Sequence, residues 1–213
     1  MTFRSMLQFG ALVRGVAIAT LTSVLAVGGA GAQEISEDQA VGLAEELHAG
    51  LVHLMGNGTD LGVDAASDYI GEVVDKTYNL KAITAQSIGP STFRGYTREE
   101  QDSVASAYRS FVVANYVSRF AKPLPISFET VGSTAGPKGS VVVETQLIRK
   151  SGEPVQLVYV VAGSTPGIAD VQYNGVSEAA RRRSELSSLA RQGADAIADA
   201  LTKKAAQIAA DIE

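Results

Sequence analysis

At Ile126 the hydrophobic pattern of this chain changes from apolar residues three and four apart to strict alternation, and after Tyr173 it changes back. Few folds accommodate one block of strands between two blocks of helices. Ile126–Val131, Ser140–Arg149, Val155–Val161 and Ile168–Tyr173 read as four strands, joined by the short turns STAGPKG, KSGE and GSTPG. Connections this short join neighbours antiparallel, which predicts a meander. In the second strand Val141, Val143, Thr145 and Leu147 share one face, and in the third Val155, Leu157, Tyr159 and Val161 do. These odd-numbered faces are the more apolar and are expected to look toward the helices. The fold class is α+β, a four-stranded antiparallel sheet with helices wrapped over it.

The helices announce themselves by caps. Ser36-Glu37-Asp38-Gln39 opens the first, which carries Val41, Ala44, Leu47, Leu51 and Met55 and is expected to end at Gly56-Asn57-Gly58. A second covers Ala66–Tyr78, with Ile70, Val73 and Val74 on its apolar side, and a shorter piece follows through Leu80 and Ile83. After Gly89-Pro90, the capping box Thr97-Arg98-Glu99-Glu100 starts a long helix to Phe120, with Val104, Tyr108, Phe111, Val112 and Tyr116 on one side. Beyond the sheet, Asn174-Gly175 is a turn, Ser177 suits a helix start, and Gly193 separates the last two helices.

Residues 1–32 read as a cleaved secretory signal peptide. Arg4 and Arg14 flank a mostly apolar Gly15–Val27, and Ala30-Gly31-Ala32 offers the small-residue cleavage pattern. The apolar run is shorter than the ~20 residues of a membrane-spanning helix. Residues 33–213 are then expected to be a single exported domain. Without cysteine, neither a disulfide framework nor a lipidated cysteine is available. The net charge of −5 becomes two units more negative without the leader, which disfavours nucleic acid, whose phosphates are bound by Lys and Arg.

A search for chemistry finds little. His48 and His53 are the only histidines, and five helical residues separate them by about 140°, so they cannot ligate one metal from one face. There is no GxSxG elbow and no thiol. Gly132–Lys138 has the wrong spacing for a phosphate loop and reads as a turn, and Asn57-Gly58-Thr59 reads as a loop rather than a glycan acceptor. No metal or cofactor is expected. Asp170 is the one acid that could serve an enzymatic cavity. Arg181, Arg182 and Arg183 fan over about 200° on a helix, so they cannot all address one ligand. They read either as a solvated face, with Arg181 pairing to Glu185, or as docking for a partner or an anionic headgroup.

The strand Ile168-Ala169-Asp170-Val171, followed by Asn174-Gly175-Val176-Ser177 and the helix bearing Arg181–Glu185, resembles the MlaC family of periplasmic lipid-binding proteins, the toluene-tolerance or ABC-transporter auxiliary proteins. Thr97–Phe120 is similar to that family's central helix. Arg181–Leu186 and Gly193-Ala194-Asp195-Ala196 look most like its hopanoid-associated branch. Where the family commonly has an aromatic before the Asp-Val strand, this chain has Pro166-Gly167, which implies a wall that is more open or differently shaped.

The resemblance implies an NTF2-like sheet and helices enclosing an apolar cavity. It further implies a monomeric carrier of phospholipid or hopanoid between an inner-membrane ABC transporter with an MCE-type ring and an outer-membrane lipoprotein complex. Its expected lining is Val73, Val74, Tyr108, Phe111, Val112, Val141, Val143, Leu157, Tyr159 and Val171. Ordinary core packing is the alternative for each. An NTF2-like enzyme acting on an apolar substrate and a structural envelope protein are the alternative functions.

Overall fold

The computed structural model describes residues 35–212, so the leader expected over residues 1–32 lies outside it. The element order is α1 Glu37–Thr77, α2 Leu80–Ile88, α3 Pro90–Gly95, α4 Arg98–Phe120, β1 Ile126–Ala135, β2 Val141–Arg149, β3 Val155–Ala162, β4 Gly167–Tyr173, β5 Val176–Ser177, α5 Glu178–Leu186 and α6 Ala194–Ala210. Among the described residues the sheet is an antiparallel meander in the order β1-β2-β3-β4-β5. The fifth strand, absent from the sequence reading, is two residues long and forms when Asn174-Gly175 turns the chain back onto Gln172 and Tyr173.

The first two helices are one element that folds back on itself. α1 passes through Gly56-Asn57-Gly58 without a break and turns at Gly62, whose φ of 75° and ψ of 171° suit glycine almost alone. Val73 lies against Gly50, and the His53 and Tyr69 rings are 4.4 Å apart, which makes the two arms an antiparallel hairpin. Asn57 is therefore helical, its amide donating to the His53 carbonyl at 2.9 Å. Gly58 serves close packing: a Cβ there would lie 2.5 Å from the Ala121 Cα at the end of α4. α4 begins with the expected capping box, the Glu100 carboxylate accepting from Thr97 N–H at 2.7 Å.

The odd faces of β2 and β3 do turn inward. Val141, Val143 and Thr145, like Val155, Leu157, Tyr159 and Val161, are buried. Two bulges modify the alternation. One at Val131 lets β1 continue to Ala135, so that half of the expected Gly132–Lys138 turn is strand. The other, at Ala169, shifts register so that Ile168 faces Val161 and Val171 faces Tyr159 across β3. Both side chains therefore point to the helical side despite their opposite parity. Gly167 makes no open wall: a Cβ there would lie 2.5 Å from the Asn79 nitrogen, because the α1–α2 junction crosses directly over it. Asn79 holds that junction by donating to the Ala162 and Thr165 carbonyls at 3.2 and 3.1 Å while its own Oδ1 caps α2.

Candidate functional site

Seven residues of α4, Tyr108, Phe111, Val112, Asn115, Tyr116, Arg119 and Phe120, fall at helical spacings of three and four and form one stripe along a cavity. The opposite wall is a band across the sheet: Phe128 beside Leu147, then Leu157 and Tyr159, then Tyr173 and Val171 opposite them. Leu51, Tyr78 and Ile83 close one end, and Glu178, Arg181 and Arg182 of α5 stand at the other. Exposure sets the polarity of this space. Leu51, Tyr78, Ile83, Tyr108 and Tyr159 are buried, whereas Arg119, Tyr173 and Arg181 are exposed. The first group is the floor and the second the mouth of a cavity of ≈ 160 Å³.

Among the described residues five tyrosines line it, and the hydroxyls of the four that lie deeper than the exposed Tyr173 are spoken for. Tyr78 and Tyr116 share a hydrogen bond at 2.6 Å, Tyr108 accepts from Ser87 at 3.1 Å, and the Tyr159 hydroxyl meets Nε2 of His48 at 2.9 Å. Burial pushes Tyr116 up to about 12 and raises Tyr78, Tyr108 and Tyr159 as well, so all four are neutral at physiological pH. The floor is thus uncharged, aromatic and aliphatic, with its polar atoms already paired. His48 lies behind this wall, stacked on Phe128 at 4.3 Å, and desolvation lowers its pKa to about 4.

Six of the ten residues expected to line a cavity meet at it: Tyr108, Phe111, Val112, Leu157, Tyr159 and Val171. Val73, Val74, Val141 and Val143 lie elsewhere, in the core. Val73 fills the notch left by Gly50, and Val141 and Val143 occupy the inner face of β2 well past Leu147, the β2 residue that reaches the cavity. Sequence reasoning passed over Asn115 and Arg119 because they are polar, although they continue the α4 spacing. It also passed over Phe128 and Leu147, whose place follows only from strand register.

The three adjacent arginines make different sets of contacts, two of them sharing Glu185. Arg181 pairs with Glu178 at 2.5 Å and Glu185 at 2.7 Å. Arg182 is buried, pairs with Glu185, and sets its guanidinium 4.1 Å above the Phe111 ring. Arg183 donates to the Gln86 carbonyl, tying α5 to α2. Asp170 is also committed: Oδ1 accepts from the backbone N–H of Val171 at 2.9 Å and of Ala179 at 3.1 Å, so it caps α5 beside Ser177. An acid held by two backbone donors outside the cavity is not placed as a general base. Among the described residues no three His, Asp or Glu side chains cluster to hold a metal. No described helix is long and apolar enough to cross a membrane.

A family model described as MlaC protein matches residues 45–203. Among solved structures, a phospholipid-binding protein from Ralstonia solanacearum, determined in complex with a phospholipid, superposes with a TM-score of 0.65 at 17% identity, over 82% of this chain and 99% of that one. No curated protein matches significantly.

Proposed function

This chain belongs to the MlaC family, and from that membership we propose that it is a lipid carrier whose cavity takes acyl tails and leaves the headgroup at the mouth. The observation that carries this reading is the cavity itself, apolar and uncharged at its floor, with its charged lining groups confined to the end where Arg119 and Arg181 are exposed and the buried Arg182 is paired with Glu185. An acyl chain of ~15 carbons is held out of water by roughly 12 kcal/mol, at about 0.8 kcal/mol per methylene. Moving one between membranes needs replacement apolar walls and no covalent step. The phospholipid held by the Ralstonia protein of the same fold supports the same assignment.

In the full proposal the protein works in the periplasm as a non-enzymatic shuttle. It exchanges phospholipid or hopanoid between an inner-membrane ABC transporter bearing an MCE-type ring and an outer-membrane lipoprotein complex. The unfilled volume of ≈ 160 Å³ is smaller than the ~300–1,000 Å³ of typical ligand sites, so the walls part as a tail enters. Protein expressed with its leader and extracted with organic solvent is expected to yield lipid in near-stoichiometric amount by mass spectrometry. Protein that emerges lipid-free and takes up none from vesicles sinks the reading.

A further inference from the structure

Among the described residues four charged side chains line the cavity: Arg119 and Arg181 are exposed at its mouth, Glu178 is half-buried, and Arg182 is buried against Phe111. Three are cations on a chain whose net charge is −5, so the mouth is locally positive in an acidic protein. The partners of these cations differ. Arg181 is bracketed by Glu178 and Glu185, and Arg182 is held by Glu185 and the Phe111 ring. Among the described residues Arg119 makes neither a salt bridge nor a hydrogen bond.

Position makes this exception informative. Arg119 continues the α4 stripe one turn beyond Asn115 and Tyr116, so its backbone is set by the same helix that builds the wall. A lipid whose tail lies along that stripe carries its first polar group to the level of Arg119. A guanidinium presents a planar fork of donors that suits phosphate oxygens, and one with no carboxylate to displace offers them without cost. We propose that Arg119 binds the headgroup phosphate, so that the carrier selects anionic phospholipid over phosphate-free lipid with the same tails. This rests on the carrier reading above and adds its headgroup selectivity.

The test is competition in one vesicle. Lipid-stripped protein is incubated with phosphatidylcholine vesicles carrying equal minor fractions of phosphatidylglycerol and diacylglycerol with matched tails, reisolated, and its lipid measured by mass spectrometry. Arg119→Gln is expected to lower the ratio of phosphatidylglycerol to diacylglycerol uptake roughly threefold, the scale of an exposed ion pair. Lys203→Gln, an equal change of charge on the exposed face of α6, is expected to leave it unchanged. A ratio that Arg119→Gln leaves at the wild-type value, or that Lys203→Gln lowers equally, overturns the headgroup site while leaving the carrier reading in place. Uptake of none of the three lipids overturns the carrier reading itself. Inorganic phosphate at matched ionic strength is the second competitor. If lipid-free protein binds phosphate alone by calorimetry and phosphate erases the preference, the site serves the free ion and the lipid assignment is overturned.

Discussion

His48 is 6% exposed, stacked on Phe128 and hydrogen-bonded to Tyr159, and its burial has a measurable consequence. Its pKa falls from 6.5 to about 4 on folding, because burial penalises the charged ring. Between those values the unfolded chain binds the proton and the folded one resists it, so stability declines as pH falls through this window. At pH 4.5 the loss through this residue is about 2–3 kcal/mol relative to pH 7. His48→Gln is expected to remove that increment, measured as the difference in denaturant unfolding free energy between the two pH values. An unchanged difference would show that His48 is not the responsible group. The helix and capping residues around it made His48 legible as helical, but its spacing gave no sign that Phe128, eighty residues later, would cover it.

Among the elements, the α1 hairpin shows how local rules and packing divide the work. Both of its arms follow from apolar spacing, and two helices were expected over this span. The turn between them was expected at Gly56-Asn57-Gly58, the strongest local breaker, and occurs at Gly62 instead. Helix is maintained through Gly58 because the end of α4 packs against it, at a distance only glycine permits. Gly62→Ala meets no atom within 4 Å, so its cost is purely that of the left-handed backbone, about 1–3 kcal/mol. Thermal or denaturant unfolding is expected to show that loss, and an unaffected midpoint would mean the turn is made without a glycine-only conformation. The bulge at Ala169 is the sheet's counterpart. It brings Ile168 and Val171 to the same side, which strict alternation along β4 does not allow.

For the whole molecule, cavity and core are built from the same residue types, and a matched pair of substitutions separates them. Val112 is half-buried at the cavity, whereas Val143 is fully buried away from it. Val112→Trp is expected to fill the cavity and cut bound lipid several-fold with the helical circular dichroism intact. Val143→Trp has no space to enter and is expected to destabilise by at least the 1–3 kcal/mol typical of overpacking. Equal lipid retention in the Val112 variant would place the ligand elsewhere. From sequence alone came the α+β class, the meander, the α4 stripe and the absence of a catalytic constellation, because period, caps and residue inventory are local properties. Tertiary structure alone decided which valines face a void, where α1 turns back, that Asp170 serves as a cap, and that Arg119 stands at the mouth unpaired among the described residues. Each of these depends on what a distant segment places opposite a residue, and hydrophobicity along the chain does not distinguish a side chain facing a neighbour from one facing a cavity.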